Sequence, residues 1–401
     1  MRFRATIHNI STFTKFTASL ATLGHIAWVR LDSKDIRFTV IPEQGTQVWS
    51  VLSIDTIFES YTIQSAAENN TINLEVPLAP LQRALRSAQN AVAANIRLTK
   101  KDGVPLLSLT ITTMTVNSSA PMPSAGSTGR EGGGFGENGT ESDAGEDFRE
   151  ESVDFFGARG QDRETTVTQD IPIRVLAPAS VEGLHEPRCR EPDVHITLPN
   201  LQQLKSISDR FTKLAASAKT STRSGLSTTS GPKLELSGNM HGCLRLALHT
   251  DSLRISSLWT GLENPELDPE QVNPNPNPNS SEDALANHPS TKMKALGDAT
   301  GQSEEGWATV RVEGRDWGKV LSVGRLGGRV IACFCHEHAL ILYVFIGGDE
   351  TGVGESVLTV SLHRLRICML RVYADRLAVL HQLIQCVKAV WCGCGMYRCA
   401  V

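Results

Sequence analysis

Arg2-Phe3-Arg4-Ala5-Thr6-Ile7 runs into Ile10-Ser-Thr-Phe13-Thr-Lys15-Phe-Thr-Ala-Ser-Leu20-Ala-Thr-Leu23-Gly-His25, and this strand-then-helix opening decides the fold. Ile10, Phe13, Leu20 and Leu23 recur near helical spacing, and Ser11 is a candidate N-cap, so a helix is predicted over Ile10 to His25. Strands are predicted at Ala27–Leu31, Asp35–Val40, Gln47–Ile54 and Thr71–Val76. Pro77 and Pro80 lead into a second helix, Ala79 to Asn90. There Leu81, Leu85 and Ala88 share one face, and Arg83 and Arg86 lie together away from it. Ile96–Thr99 and Leu106–Thr115 close the module. Leu107, Leu109 and Ile111 alternate with Ser108, Thr110 and Thr112, the pattern of a half-buried strand.

The same order returns further on. Asp170-Ile-Pro-Ile-Arg-Val-Leu176 opens the second copy, and Asp193–Leu198 is a strand. Pro199 then starts a helix with Leu201, Leu204, Ile207, Phe211 and Leu214 as its apolar stripe and Lys205, Arg210 and Lys213 off it. Strands follow at Lys233–Ser237, Gly242–His249 and Ser252–Trp259, and later at Ala308–Val312. A helix at Arg315–Val323 carries Arg315 and Lys319, ahead of a hairpin, Arg329–Cys335 and Ala339–Ile346. Two copies of one α+β module, each with two basic amphipathic helices, suggest curved antiparallel sheets with helices along one side.

The 401 residues give room for two domains plus disordered segments. Net charge is −4, which excludes a basic coat for nucleic acid; any contact with DNA must come from a local basic face. Met1-Arg2-Phe3-Arg4 is charged where a signal peptide would turn apolar, and no run long enough to cross a membrane occurs, so a soluble intracellular chain is expected. Of nine cysteines, Cys368, Cys386, Cys392, Cys394 and Cys399 crowd the last stretch; this is reduced-thiol usage, not a disulfide framework.

Residues 1–116 form the expected first module. Residues 117–164, rich in Gly, Ser and acid, cannot bury enough apolar surface to order themselves and are expected to be a disordered interdomain linker. Within them Val153-Asp-Phe-Phe156 is either a small docking element or an apolar patch in a loop. The second module is expected over 165–360. Its insertion, 263–305, contains Asn273-Pro-Asn-Pro-Asn-Pro-Asn279, which forbids regular structure, and is expected to be disordered.

Several words now fall into place: Met1-Arg-Phe-Arg-Ala5, Glu68-Asn-Asn70, Leu81-Gln-Arg-Ala-Leu85 running to Ala88-Gln-Asn-Ala91, Asp170-Ile-Pro-Ile-Arg174, and Pro192-Asp-Val194 followed by Leu198-Pro199. In order and spacing they resemble the Hus subunits of the heterotrimeric DNA-damage checkpoint clamp, the nine-one-one ring, within the PCNA-like sliding-clamp superfamily. The resemblance covers about residues 1–116 and 165–346. It implies the sliding-clamp fold, with helices lining the inner face of curved sheets, and a ring closed head-to-tail with two other checkpoint-clamp subunits. It further implies an ATP-dependent clamp loader, double-stranded DNA held topologically at primer-template junctions, recruitment of a checkpoint kinase and repair enzymes, and a nuclear location. It implies no catalytic residues, no cofactor and no membrane contact. A ring needs only diffuse phosphate attraction. Lys15, Arg83, Arg86, Lys205, Arg210, Lys213, Arg315 and Lys319 are therefore the expected DNA-facing residues. By the same resemblance, subunits meet through edge strands, Leu107–Thr115 (Leu107, Leu109, Ile111) and roughly Ser252–Trp259 (Arg254, Ile255).

Two other readings stay in view: a homotrimeric replicative processivity clamp, and a metal-dependent enzyme using Cys333, Cys335, His336 and His338. Those four ligand types fall within six residues. The expectation is nevertheless no metal, because Cys333 and Cys335 share a strand face and His336-Glu337-His338 makes a hairpin turn. No Walker loop, nucleophile elbow or HExxH occurs. Beyond Val357-Leu-Thr-Val360 the resemblance fails. Residues 361–401 are either an amphipathic extension, with Leu362, Leu365, Met369 and Val372 on one face, or a coding artefact that replaces the native last strand. The second is the expected reading, and it would leave the final strand half missing.

Overall fold

A computed structural model describes residues 1–42, 46–115, 163–186, 189–220, 231–266, 286–346 and 356–363. The first copy contains β1 (Arg2–Ile7), α1 (Ile10–Leu23), β2 (Ile26–Leu31), β3 (Asp35–Val40), β4 (Gln47–Ser53), a one-turn α2 (Ile54–Ile57), β5 (Phe58–Gln64), β6 (Ile72–Pro77), α3 (Leu78–Ser87), β7 (Ala93–Lys101), β8 (Val104–Thr115) and β9 (Arg163–Pro172). A short β10 (Arg174–Val175) follows. The second copy contains β11 (Val194–Thr197), α4 (Leu201–Thr220), β12 (Lys233–Gly238), β13 (Leu244–His249), β14 (Arg254–Trp259), α5 (Pro289–Lys294), β15 (Ala308–Glu313), α6 (Gly314–Val320), a 3-10 segment (Leu321–Leu326), β16 (Val330–Cys335), β17 (Ala339–Ile346) and β18 (Ser356–His363).

Local chemistry explains the main boundaries. Asn9, not Ser11, caps α1: its side chain accepts from the Thr12 N–H at 3.0 Å. Between β7 and β8 the chain turns on Asp102-Gly103, both at positive φ, which is the two-residue turn that matches strand twist. β1 buries Phe3, Ala5 and Ile7 and exposes Arg2 and Arg4, so its alternation sets which side of the sheet meets the core.

The described strands form three antiparallel sheets. The five-stranded sheet has the order β5-β1-β7-β8-β9 and the four-stranded sheet the order β14-β13-β12-β15. Between them a nine-stranded sheet, β10-β6-β2-β3-β4-β18-β17-β16-β11, draws on both copies. The copies join where β4 pairs with β18, from Gln47 opposite Ser361 to Val51 opposite Val357. The Ser356 hydroxyl reinforces this seam, accepting from the Ser53 N–H at 3.1 Å and bonding the Thr56 hydroxyl at 2.9 Å.

Four expectations are corrected here. β9 pairs with β8 over Leu106–Thr115, so residues 116–162, which lie outside the described residues, connect two strands of one sheet rather than two domains. The first copy therefore runs to Pro172, and the link between copies is the stretch from Ile173 to Asp193. Val153–Phe156 falls outside the described residues. So do 267–285, but the rest of the insertion is built: Asn239 Nδ2 donates to the Asp298 carbonyl at 3.1 Å, Trp307 Nε1 to Ser303 at 2.7 Å and Cys243 Sγ to Ala299 at 3.3 Å. β5 was not anticipated; it pairs with β1 at the sheet edge. Finally, β18 does not break at Val360. It continues to His363, with Val360 and Leu362 buried, and lies inside the sheet rather than at its edge. The anticipated amphipathic face beyond it, like the rest of 364–401, is outside the described residues.

Leu358 is fully buried at the seam between the copies. Leu358→Ala should cost about 2–5 kcal/mol in urea unfolding; a change within error would show that the seam does not hold the fold.

Candidate nucleic-acid interface

Four helices, α1, α3, α4 and α6, lie in one layer on the sheets. α1 packs against α3 on one side and against the 321–326 segment and α6 on the other, and α4 packs against that same segment and α6. Flanked on both sides, α1 buries hydroxyls as well as apolar groups. Thr14, Thr17 and Ser19 return theirs to carbonyls one turn back, at 2.7, 2.9 and 3.0 Å.

The approach of α4 to α6 depends on glycine. A β-carbon at Gly314 would sit 2.7 Å from Thr212 Oγ1, and one at Gly324 2.7 Å from Leu201 Cβ. Trp317 is fully buried in this contact, and its indole N–H donates to Ser208 Oγ at 3.1 Å. Hence the buried stripe of α4 is Leu201, Leu204, Ser208, Phe211 and Ala215. Ile207 is half-buried and Leu214, expected on the stripe, is exposed.

The expected DNA-facing cations separate into two groups. Lys15, Arg83, Arg86, Arg210, Lys213 and Arg315 are exposed and have no carboxylate partner among the described residues. Lys205 and Lys319 are engaged within the protein. Lys205 Nζ donates to the Gly318 carbonyl at 3.0 Å and pairs with Asp209 at 3.4 Å, tying α4 to α6. Lys319 pairs with Asp316 at 3.3 Å. Asp209 and Asp316 are the only carboxylates on these four helices, so both are already matched. The helical layer thus presents cations in excess, on a chain whose net charge is −4.

The expected contact strands also divide. Leu107, Leu109 and Ile111 are buried on β8, which lies between β7 and β9; the edge strands of that sheet are β5 and β9. The correction has a simple cause: β9 is separated from β8 in sequence by the acidic stretch but completes its ladder in space. β14, carrying exposed Arg254 and half-buried Ile255, does lie at a sheet edge.

Cys333, Cys335, His336 and His338 do not converge. His336 Nδ1 accepts from the Thr309 N–H at 3.0 Å, and Cys335 Sγ donates to the Arg190 carbonyl at 3.5 Å. Burial pushes the Cys333 thiol up to about 12 and the Cys335 thiol to about 11, away from the thiolate a metal requires. Among the described residues no group of three or more His, Cys, Asp or Glu side chains is arranged to hold a metal. No described helix is long and apolar enough to cross a membrane.

Comparison with known proteins adds to this geometry. A family model described as Hus1-like protein matches residues 1–366. Checkpoint protein hus1 of Schizosaccharomyces pombe (strain 972) is 35% identical over 351 residues, 87% of this chain and 94% of the relative. Checkpoint protein HUS1 of Homo sapiens is 25% identical over 280 residues, 68% of this chain and 78% of the relative. Among solved structures, Proliferating Cellular Nuclear Antigen from Entamoeba histolytica superposes with a TM-score of 0.51 at 12% identity, over 90% of this chain and 98% of that one. PCNA from Thermococcus kodakaraensis gives 0.50 at 11%, over 90% and 100%. The structural matches show the sliding-clamp fold.

The division of the cations has a measurable consequence. Lys205→Met should cost about 1 kcal/mol in urea unfolding, because the Gly318 carbonyl loses its donor. Arg210→Ala should stay within about 0.5 kcal/mol of the parent; equal costs would contradict the division.

Proposed function

The chain belongs to the Hus1-like family, and from that premise we propose that it is a non-catalytic subunit of a DNA-encircling checkpoint clamp, assembled with two different partner subunits. The observation that carries this reading is the charge of the helical layer. Unpaired cations from α1, α3, α4 and α6 share one side of the molecule, while its two carboxylates are held by lysines. Such a face attracts phosphates without reading bases, which suits a ring that slides.

The internal repeat supports the mode of assembly. β4 of the first copy corresponds in order to β14 of the second, and β9 corresponds to β18. Within the chain, β4 pairs with β18. Their counterparts, β14 and β9, both lie at sheet edges, as do β5, β10, β11 and β15. A neighbour on each side pairing through β14 and β9 would repeat the seam the chain already makes with itself. Thr165-Thr166-Val167-Thr168 on β9 suits this role: it is exposed and strand-prone.

The tethering role has a candidate surface on the outer side. A cleft of about 230 Å³ lies between the nine-stranded sheet and the link between the copies, lined by Trp28, Trp49, Val51, Leu176, Val181 and Leu184. Trp49 Nε1 is buried there without a hydrogen-bond partner among the described residues, so an extended peptide could supply one. We assign this cleft to repair enzymes. Loading by an ATP-dependent loader at primer-template junctions, signalling to a checkpoint kinase and a nuclear location complete the reading.

Assembly and DNA retention are separately testable. On size exclusion the chain alone should run as a monomer and shift only with its two partner subunits; self-trimerisation would favour the homotrimeric processivity clamp. Val167 and Leu258 are 45% and 40% exposed, so Val167→Asp and Leu258→Asp should each abolish a junction and leave the melting temperature of the free chain unchanged. In the loaded trimer, reversing Arg83, Arg86, Arg210 and Lys213 to Glu should lower the slope of log affinity against log salt by about 3–4. An unchanged slope would remove these residues from the DNA face.

A further inference from the structure

The five-stranded sheet also carries charge on the side away from the helices. β1 and β7 place Arg4 directly opposite Arg97, and Arg2 lies two residues along β1 on the same side. Phe3, Ala5 and Ile96 are buried on the other side, so all three arginines point outward, and all three are exposed. Across the sheet, the row through Arg4 reads Thr62, Arg4, Arg97, Ser108, Asp170. The carboxylate in that row is two strands beyond Arg97, roughly 10 Å away. No ion pair among the described residues involves Arg2, Arg4 or Arg97. In the next row, Ser60 Oγ donates to Thr6 Oγ1 at 2.8 Å, and Thr6 Oγ1 donates to Asn95 Oδ1 at 2.9 Å.

Like charges directly opposite each other in a sheet repel. Here they stand uncompensated on a rigid, hydroxyl-lined surface. We propose that Arg2, Arg4 and Arg97 form a docking surface for a phosphorylated segment of a partner protein. The cluster is compact, about two residues along one strand and one strand across, and the rest of its row is neutral or acidic. That shape fits a single dianion with three acceptor oxygens, held by guanidinium forks, better than a long run of carboxylates or a duplex backbone. The surface also faces away from the helices. On the clamp reading, on which only this orientation rests, it looks out of the ring, where a threaded duplex does not reach.

The test uses the full-length chain alone, so its outcome does not depend on ring assembly. Fluorescence anisotropy would follow four labelled probes: a short Ser/Gly peptide with one phosphoserine, the same peptide unphosphorylated, the same peptide with Glu at that position, and a short DNA duplex. Saturable binding of the phosphopeptide is expected, weakened about tenfold or more in Arg4→Thr/Arg97→Thr. The single variant Arg2→Gln should weaken it less, and Arg210→Glu/Lys213→Glu should leave it intact. Circular dichroism would confirm that each variant is folded. The proposal is overturned if the parent does not bind the phosphopeptide, if the Glu peptide binds equally well, or if duplex binding falls as much as peptide binding when Arg4 and Arg97 are replaced. Any of these results would leave the clamp reading untouched, because that reading is judged by size exclusion with the partner subunits.

Discussion

The short ladder between β4 and β18 is the constraint on which the rest of the structure depends. Without it the chain would be two sheet-and-helix units joined by the link between the copies. With it, one nine-stranded sheet spans both copies, and α1 of the first copy can rest on α6 and the 321–326 segment of the second. The ladder is anchored by burial as well as by hydrogen bonds: Val48, Leu52, Leu358 and Val360 are all essentially inaccessible. Right-handed twist accumulates over so many strands, which curves the surface that carries the helices. The curvature of the cationic layer is therefore a consequence of a backbone pairing elsewhere.

The polar content of the helices follows from the same packing. A helix flanked on both sides cannot be simply amphipathic, and α1 solves the problem with Thr14, Thr17 and Ser19, which satisfy themselves on carbonyls of their own helix. In α4 the buried Ser208 answers the indole of Trp317. Each arrangement keeps a buried polar group paired, where leaving one unpaired would cost about 1–3 kcal/mol. Charge is thereby left to the outer side of the layer, where it remains hydrated and available.

Much of this was legible in the sequence, and the failures have physical causes. Period-two alternation located β8, and Leu81, Leu85 and Ala88 marked the buried face of α3. β9 was missed because Glu164-Thr-Thr-Val-Thr168 exposes both faces and follows a long acidic stretch, so no apolar alternation announces it. The built part of the insertion was missed because side-chain bonds to Asp298, Ala299 and Ser303 carbonyls hold it, and these leave no periodic trace. Lys205 looked like its neighbours Arg210 and Lys213 because a sequence shows a charge but not its partner. The repeated order was correct, yet the positions of the sheet edges came only from pairing.

The long connection 116–162 shows how much such a fold tolerates. Closing it rather than a turn of a few residues costs roughly 2 kcal/mol more, because loop entropy grows only logarithmically with length. Against this stands a ladder running from Leu106 opposite Pro172 to Thr115 opposite Arg163. Even at about 0.5 kcal/mol for each net hydrogen bond, a ladder of that length exceeds the added entropy. The acidic stretch can therefore separate β8 from β9 in sequence without preventing their pairing. The sheet edge it delivers, β9, is the strand the repeat leaves open for a neighbour.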